Sequence, residues 1–312
     1  MKVLVTGGAG FIGSHIVDQL IARGDQVVIV DNLSSGKESQ VNPAAAFYNV
    51  DITSPDLHAV MEQERPEVVI HQAAQIHVNT SVDNPTLDAN INILGSINLL
   101  EGCRKAGVKK VVYASSAAVY GTPAYLPVDE RHPIGPLSGY GVSKYTVEHY
   151  LSVYHHLYGL NYTVLRYANV YGLRQDPRGE GGVISIFIDK VLGREPLTIF
   201  GDGEQTRDYI YVEDIARANL SAIERGDGEV LNVGTGVSTS LNEVVRLFDE
   251  IAGVKHEVNY GPDRAGDIKH SYFNNEKVRR VLDWEPRVSL REGLAKTYAY
   301  YQAEYRKMDK EQ

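Results

Sequence analysis

The feature that most constrains the fold is a glycine-rich turn near the start of the chain. The run Lys2–Thr6 is apolar, rich in β-branched residues and too short for a helix, which predicts a buried strand. Three glycines follow it directly: Gly7, Gly10 and Gly13. Apolar residues then recur at helical spacing up to Arg23 and Gly24, a basic residue and a glycine that are typical of a helix end. A second apolar strand is predicted to close at Asp31.

This strand, turn, helix and strand unit is suited to binding a dinucleotide. A pyrophosphate is stabilised at a helix N-terminus by free N–H groups and the helix dipole, provided that no side chain keeps it away. The glycines remove that obstacle. A carboxylate such as Asp31 at the end of the second strand can accept both ribose hydroxyls and would repel a 2′-phosphate. The unit therefore predicts a site for NAD rather than NADP; the alternative is a tight turn without a ligand.

Strand-like and helix-like segments alternate along the first half of the chain. Further strands are predicted at 46–50, 68–70, 111–114 and 161–167. Long helices are predicted over 90–106 and 140–158. Such alternation predicts an α/β fold with a doubly wound parallel sheet, in which functional residues gather beyond the C-terminal ends of the strands. We expect an NAD-binding domain over 1–168, to which later segments return, and mainly a smaller C-terminal α/β substrate-binding lobe over 169–312. Helices in these later segments are predicted over 183–192 and 278–284.

The composition argues against several kinds of partner. The 312 residues are 43% hydrophobic and 23% charged, which is typical of a globular protein. A net charge of -9 argues against a nucleic-acid partner. Cys103 is the only cysteine, which excludes an internal disulfide and a CxxC metal site, and the histidines lack metal-ligand spacing, so no metal is predicted. No apolar run has membrane-spanning length and no signal peptide is recognisable, so we expect a cytoplasmic protein without a membrane partner.

A candidate general base lies at the start of the predicted helix 140–158. Tyr140 and Lys144 are four residues apart and therefore share a helix face, one turn apart. A lysine ammonium beside a phenol favours the phenolate, which would let Tyr140 act as a general base near neutral pH. A Tyr and a Lys at this spacing are often only exposed side chains without a catalytic role. Ser116, at the end of the preceding predicted strand, should lie close to Tyr140 and favours a catalytic role.

Three motifs resemble the extended short-chain dehydrogenase/reductase family. They are G-G-A-G-F-I-G at 7–13, S-S-A-A-V-Y-G at 115–121 and Y-G-V-S-K at 140–144. Within that family the chain is similar to the NAD-dependent UDP-galactose/UDP-glucose 4-epimerases almost end to end. That likeness includes R-Y-A-N-V-Y-G at 166–172, I-F-G-D-G at 199–203, R-D-Y-I-Y-V-E-D at 207–214, N-V-G-T-G at 232–236 and R-A-G-D at 264–267. The resemblance implies a Rossmann-like fold, and its motifs are more specific for the family than for the sugar.

The resemblance also implies a mechanism. Tyr140 would remove the proton from the sugar 4-hydroxyl, while Lys144 would lower the pKa of Tyr140 and hold the nicotinamide ribose. Ser116 would hydrogen-bond the 4-oxygen. Hydride would pass to NAD, the 4-keto sugar would rotate, and hydride would return to its other face without net oxidation.

Binding residues are implied in the same way. The implied cofactor-binding residues are Gly7, Gly10, Phe11, Ile12, Gly13, Asp31, Asn32, Ser35, Gly36, Asp51, Ile52, Ala73, Ala74, Gln75, Asn92, Ser115, Tyr140, Lys144 and Tyr167. The implied substrate-binding residues are Ser116, Tyr140, Asn169, Arg207, Arg264, Asp267 and Ser271. Two arginines suit a diphosphate because guanidinium groups bind phosphate oxygens in pairs. The alternative is that Arg207 and Arg264 form surface salt bridges with Asp208 and Asp267.

Some residues differ from those of related enzymes, and these differences limit which reaction and which sugar we expect. Ala117 and Ala118 follow Ser116 where the related 4,6-dehydratases carry an Asp-Glu pair, so dehydration lacks its acid and base. Asp176 stands where uronate-handling relatives often have Arg, which favours a neutral sugar. Ser271 aligns where hexose-restricted epimerases tend to have Tyr, which leaves room for an N-acetyl group. We expect interconversion of UDP-galactose and UDP-glucose, with UDP-GalNAc and UDP-GlcNAc as a second pair.

Two other functions stay open. One is another NAD-dependent nucleotide-sugar enzyme, a UDP-glucuronate 4-epimerase or a decarboxylase. The other is a catalytically silent NAD-binding regulator, although such proteins typically lose the Tyr and Lys that this chain retains. A homodimer is implied by the resemblance, because the predicted helices 90–106 and 140–158 have apolar outer positions and the equivalent helices form a four-helix dimer interface in the family.

Overall fold

The computed structural model describes residues 1–177, 182–264 and 267–311, without the side chains of 308–311. Its strands are β1 (Lys2–Thr6), β2 (Gln26–Asp31), β3 (Ala46–Asn49), β4 (Val68–His71), β5 (Lys110–Ser116), β6 (Asn161–Tyr167), β7 (Asn169–Tyr171), β8 (Leu197–Phe200), β9 (Thr206–Arg207), β10 (Tyr209–Tyr211), β11 (Glu229–Val233), β12 (Thr239–Ser240) and β13 (Val258–Gly261). Its α-helices are α1 (Phe11–Arg23), α2 (Asp56–Glu64), α3 (Val78–Asp83), α4 (Pro85–Ala89), α5 (Gly95–Ala106), α6 (Gly139–Tyr158), α7 (Val183–Leu192), α8 (Val212–Glu224), α9 (Leu241–Ala252), α10 (Glu276–Leu282) and α11 (Leu290–Glu311).

A seven-stranded parallel sheet is the centre of the fold. Its strand order is β11-β6-β5-β4-β1-β2-β3. The sheet changes winding direction between β1 and β4, where Thr6 pairs with His71 at the C-terminal ends. Ligands of open α/β sheets bind at such a switch point, because the connections leave it in opposite directions and open a crevice. The predicted Rossmann-like doubly wound sheet is confirmed.

Both faces of the sheet are covered by apolar side chains. On one face α1 and α8 pack against the strands through residues such as Ile16, Leu20 and Ile215, which are fully buried. On the other face α2, α5 and α6 contribute residues such as Leu57 and Leu99. Complete burial of one such side chain contributes about 1.5 to 3 kcal/mol. This two-sided burial explains why the strands are continuous apolar runs.

A third apolar cluster lies in the later part of the chain. Phe187 of α7, Ile199 of β8 and Phe248 of α9 belong to it, and α11 contributes Leu294. Other late segments pack on the main sheet instead: β11 pairs with β6, and α8 lies against α1. The chain therefore leaves the sheet after β6 and returns to it at α8 and β11.

Two helical segments differ from the sequence-based expectation. The predicted helix 90–106 begins with a π-helical stretch, Asn90–Leu94, that continues directly from α4. Asn84 starts that run by accepting a hydrogen bond from Leu87 N at 3.1 Å. The predicted helix 278–284 is α10 and ends at Leu282, because Asp283 has a left-handed backbone conformation with a φ of +51°. The Trp284 indole beyond it donates to the Asp214 carbonyl at 3.0 Å. In the described part of the chain, no helix has the length and apolar character needed to cross a bilayer.

Candidate active site

The glycine turn brings β1, α1 and the end of β4 into close contact. Gly7 has a φ of +69°, and a Cβ there would lie 2.7 Å from the backbone N of Ala73. A Cβ on Gly13 would lie 2.0 Å from the Gly7 carbonyl oxygen. Gly10 holds the N-cap position of α1 in an extended conformation and has no side chain to cover the helix end. The first turn of α1 is therefore an open anion-binding end.

The carboxylate of Asp31 lies beside this turn. Its Oδ2 accepts a hydrogen bond from Ala9 N at 3.0 Å, and its Oδ1 accepts one from Leu33 N at 2.8 Å. Burial raises the pKa of Asp31, and these two N–H donors oppose that shift. A carboxylate has about four acceptor sites, so two backbone bonds leave capacity for the hydroxyls of a ribose.

A cavity of about 480 Å³ runs from Asp31 across the glycine turn to the ends of β5 and β6. Its lining includes the predicted residues Gly7, Gly10, Phe11, Ile12, Gly13, Asp31, Asn32, Ser35, Asp51, Ile52, Ala73, Ala74, Gln75, Ser115, Ser116, Tyr140 and Tyr167. A glycine cradle, a buried carboxylate and an elongated cleft fit a dinucleotide such as NAD. The predicted cofactor residues named in the previous sentences therefore line this cleft.

Three predicted cofactor residues lie outside the lining of this cavity. Gly36 lies next to Asp31, and a Cβ there would be 2.9 Å from Asp31 Oδ1. Asn92 lies behind Gln75, with its Oδ1 accepting from Gln75 N at 2.7 Å and its Nδ2 donating to Ser143 Oγ at 3.0 Å. Lys144 is the third. These three residues lie behind the residues that line the cavity and are placed to support its wall.

Lys144 is buried beneath the reactive end of the cavity. Its Nζ donates to the Ala114 carbonyl at 2.9 Å and lies 5.9 Å from the centroid of the Tyr140 ring. Burial lowers the pKa of Lys144 to about 8, against a smaller opposing effect of the Asp88 carboxylate. A lysine with that pKa exchanges its proton readily near neutral pH.

Tyr140 and Ser116 open into the same cavity from different elements. Ser138 caps α6 by accepting a hydrogen bond from Gly141 N at 3.2 Å, which places Tyr140 in the first helical turn. Ser116 ends β5, and its Oγ accepts a hydrogen bond from Ala118 N at 3.2 Å. A phenol and a hydroxyl over a buried ammonium form an arrangement that can transfer a proton to or from a ligand oxygen.

Apart from Ser116 and Tyr140, the predicted substrate residues lie in the later segments, outside the 480 Å³ cavity. Asn169 N donates to the Asp208 carbonyl at 2.9 Å, and Ser271 N donates to the Thr206 carbonyl at 3.1 Å, so both flank Arg207. Arg264 lies over the Phe200 ring, with Cζ 3.8 Å from its centroid. Asp267 is beside it, its N donating to the Arg264 carbonyl at 3.2 Å. The remaining residues of that motif, Ala265 and Gly266, lie outside the described residues.

The alternative salt bridge from Arg207 to Asp208 is wrong. The Asp208 carboxylate is buried and accepts hydrogen bonds from Thr235 N at 2.8 Å, Thr235 Oγ1 at 2.6 Å and Gly236 N at 3.0 Å. The Arg207 Nη1 instead donates to the Thr206 carbonyl at 2.8 Å. Over residues 1–177, 182–264 and 267–311, neither Arg207 nor Arg264 forms a salt bridge. Both guanidinium groups therefore keep N–H donors for a ligand.

Sequence reasoning missed several residues of the cavity wall. These are Val30, Ser34, Val50, Gln72, Ile76, His77, Thr80, Leu87, Ile91, Ala168, Val170 and Gln175. Three of them, Val50, Gln72 and Ala168, follow a strand directly, and that position was the available signal. Gln175 was the hardest to find, because it follows β7 by four residues and reaches the cavity through the path of its loop.

Known proteins resemble the chain over nearly its whole length. The model of the NAD dependent epimerase/dehydratase family matches residues 3–234. A Methanocaldococcus jannaschii protein is 53% identical over 293 residues, 94% of this chain and 95% of the relative. The Thermotoga maritima UDP-glucose 4-epimerase, solved with UDP-glucose, is 49% identical with a TM-score of 0.95, and 98% and 100% of the two chains are covered. The Thermus thermophilus UDP-glucose 4-epimerase, solved with NAD, is 44% identical with a TM-score of 0.91 over 97% and 99% of the chains. The chain therefore belongs to the NAD dependent epimerase/dehydratase family.

Proposed function

We propose that this chain is a UDP-glucose 4-epimerase that interconverts UDP-galactose and UDP-glucose with bound NAD. The observation that carries the proposal is the opening of Tyr140 and Ser116 into one cavity with the glycine turn, above the buried Lys144. The similar Thermotoga maritima and Thermus thermophilus enzymes, solved with UDP-glucose and with NAD respectively, support this reading.

The roles of the catalytic residues follow from their positions. When bound, NAD supplies the reversible hydride acceptor that a reaction without net oxidation needs. The Tyr140 phenolate takes the proton of the sugar 4-hydroxyl and later returns it. The Lys144 ammonium favours that phenolate through its positive charge, and the Ser116 hydroxyl holds the 4-oxygen. The open N-terminus of α1 binds the pyrophosphate, and Asp31 accepts the ribose hydroxyls.

The nucleotide-sugar diphosphate is assigned to Arg207 and Arg264. A guanidinium that stacks on an aromatic ring, as Arg264 does on Phe200, keeps its N–H edge available for phosphate oxygens. Asn169, Asp267 and Ser271 surround the same region and complete the proposed substrate site. These later segments form the proposed substrate-binding lobe over 169–312, while 1–168 form the proposed NAD-binding domain together with α8 and β11.

The sugar is proposed to be uncharged. Asp176 forms a salt bridge with Lys37, with Oδ2 and Nζ 3.0 Å apart, and a carboxylate at this position could not pair with a uronate. Ser271 is small and half-buried, which leaves room for an N-acetyl group. UDP-GalNAc and UDP-GlcNAc are therefore the proposed second substrate pair.

Product analysis tests the proposal. Purified protein is incubated with UDP-galactose, UDP-GalNAc or UDP-glucuronate, with and without added NAD, and the products are resolved by chromatography. We expect UDP-glucose from UDP-galactose, and at least a 100-fold lower kcat for Tyr140→Phe. A 4-epimer only from UDP-glucuronate would identify a uronate epimerase instead. NAD binding without any product would identify a silent regulator, and full activity of Tyr140→Phe would refute the mechanism.

A homodimer is proposed as the assembly. Exposed apolar side chains project from α6, which packs beside α5, and from the π-helical stretch that precedes α5; they include Leu94, Val142, Val153 and Leu157, the last 60% exposed. Such a patch on helices that lie side by side suits a self-complementary interface. Sedimentation velocity tests it: we expect a dimer that Leu157→Glu weakens, whereas a concentration-independent monomer would contradict the proposal.

A further inference from the structure

A buried ion pair lies directly behind the reactive end of the cavity. Glu148 and Arg166 are 6% and 4% exposed. Glu148 Oε1 accepts hydrogen bonds from Ser115 Oγ at 2.6 Å and from Arg166 Nε at 2.9 Å. Glu148 Oε2 lies 2.5 Å from Arg166 Nη2. This two-pronged arrangement is the strongest geometry that an arginine and a carboxylate form.

The other side of the Arg166 guanidinium is also fixed. Its Nη1 donates to the Tyr120 hydroxyl at 2.7 Å, and its Cζ lies 4.9 Å from the Tyr120 ring centroid. Tyr120 in turn donates to Asn232 Oδ1 at 2.7 Å. The network therefore joins α6, β5, β6 and β11 through hydrogen bonds between side chains that are all buried.

The position of this network relates it to the catalytic groups. Ser115 pairs with Arg166 in the β5–β6 register, and the next pair in that register is Ser116 with Tyr167, both of which line the cavity. On α6, Glu148 follows Lys144 by four residues, so the two share a helix face with Tyr140 one turn further back. Glu148 thus attaches the helix that carries Tyr140 and Lys144 to the strand end that carries Ser116.

A buried ion pair is weak evidence for a stabilising role. Desolvation of the two charges offsets their attraction, and a well-packed apolar pair often gives the same or greater stability. Removal of one partner is strongly destabilising, because the other charge is left buried and alone. A directional pair does what an apolar pair cannot: it holds a helix and a strand in one register.

We propose that Glu148, acting through Arg166 and Ser115, is a positioning residue that sets the placement of Tyr140 and Lys144 relative to Ser116. This inference rests on the proposed epimerase function. Glu148 itself touches neither the cavity nor a reacting atom, since it is absent from the cavity wall. Its loss should therefore lower kcat and leave substrate and cofactor binding nearly unchanged.

Two variants and one control separate positioning from stability. Glu148→Gln keeps the shape of the side chain but removes its charge. The double variant Glu148→Met with Arg166→Met replaces the pair by apolar side chains of similar size, which restores packing without the directional bonds. Lys110→Met is the control, because Lys110 begins β5 at its opposite end, is also buried and forms a 2.5 Å salt bridge with Asp227.

We expect Glu148→Gln and the double variant to lower kcat for UDP-galactose about 10-fold to 100-fold, with KM and NAD content within about twofold of wild type. The double variant should retain the thermal stability of the wild type, and Lys110→Met should lower stability with kcat unchanged. Wild-type kcat in a folded Glu148→Gln, or in the double variant, would overturn the inference. A raised KM or a loss of bound NAD in either Glu148 variant would also overturn it. The same holds if Lys110→Met loses as much kcat as those variants do. If Glu148→Gln does not fold, the kcat of the double variant tests the inference instead.

The assay also separates this inference from the proposed function. A wild-type protein without 4-epimerase activity would refute the proposed function and this inference with it. An active wild type with equally active variants would refute the inference alone.

Discussion

The ammonium nitrogen of Lys144 lies 5.9 Å from the centroid of the Tyr140 ring and donates a 2.9 Å hydrogen bond to the carbonyl oxygen of Ala114 at the end of β5. A cation that is only 4% exposed is thus held beneath a phenol. The charge favours the phenolate form that proton transfer needs, yet burial disfavours the charge itself. The charged form of Lys144 is therefore favourable for catalysis but unfavourable for the stability of the fold.

Replacement of Lys144 should change stability and activity in opposite directions. Burial lowers the pKa of Lys144 from 10.5 to about 8. Between those values the unfolded chain binds more protons, so stability rises with pH across that interval; below about pH 8 the folded protein carries the full cost of the buried ammonium. We expect Lys144→Met to raise the free energy of unfolding at pH 7 by on the order of 1 to 3 kcal/mol and to lower kcat at least 100-fold. Urea unfolding and an epimerase assay measure both effects. A less stable variant at pH 7 would contradict the assigned cost of burial.

Acid should destabilise the protein through His71. Ala73 N donates to Thr6 Oγ1 at 3.2 Å, and Ser96 Oγ donates to the Asn92 carbonyl, so His71 accepts at Nδ1 from Thr6 and donates from Nε2 to Ser96. This donor and acceptor pattern is the one that a neutral imidazole makes. Burial, with a smaller effect of the Lys144 ammonium, lowers the pKa of His71 from 6.5 to about 3.

The sign of this effect follows from proton binding. Below pH 6.5 the unfolded chain protonates this histidine while the folded protein does not until about pH 3, so stability falls with falling pH by up to about 1.4 kcal/mol per unit. We expect His71→Gln to lower stability at pH 7 but to flatten that slope between pH 6 and 4, as measured by chemical denaturation. His156→Gln, at an exposed position of α6, is the control and should leave the slope unchanged. An unchanged slope in His71→Gln would contradict the neutral buried imidazole.

The glycine turn should not tolerate a methyl group at Gly13. A Cβ there would lie 2.0 Å from the Gly7 carbonyl oxygen, so the backbone of the cofactor site must move. We expect Gly13→Ala to lower stability by about 1 to 3 kcal/mol and to abolish measurable NAD binding in calorimetry. Gly24→Ala is the matched control at the other end of α1, where φ is +91° and the added Cβ meets nothing within 4 Å. It should cost about 1 to 2 kcal/mol from backbone strain alone. NAD affinity equal in the two variants would refute the steric argument.

Cofactor selectivity should depend on Asp31. Its carboxylate is held by Ala9 N and Leu33 N with acceptor sites left over for ribose hydroxyls. We expect Asp31→Ser to raise the Kd for NADH about 10-fold to 100-fold, since a hydrogen bond to a charged group contributes about 1.5 to 3 kcal/mol, and to gain affinity for NADPH. Fluorescence titration with both nucleotides measures the change. Asp18→Asn, which removes a salt bridge with Arg174 away from the cavity wall, should alter neither affinity. An unchanged NADH to NADPH ratio in Asp31→Ser would refute the assignment.

Local elements could be predicted well because their evidence is local. β1, β6 and α7 have the bounds that periodicity and flanking residues indicated, and α1 ends at the predicted Arg23. Hydrophobic spacing reports which face of an element is buried, whatever it packs against. The spacing of Tyr140 and Lys144 likewise predicted a shared face. The π-helical stretch Asn90–Leu94 was missed, because an extra residue per turn depends on what the helix packs against.

The sequence by itself therefore determined the sheet class, the glycine turn, the acidic residue at the end of β2 and the identity of the candidate proton-transfer groups. Only the tertiary structure decided that Lys144 lies behind the cavity wall, that Gln175 reaches the cavity, and that Glu148 holds Ser115 and Arg166. The physical reason is the range of the interactions. Propensity, capping and periodicity act over a few residues and are legible in the chain, whereas hydrogen bonds between residues such as Ser115 and Glu148, 33 positions apart, exist only once strand order and helix packing have brought them together.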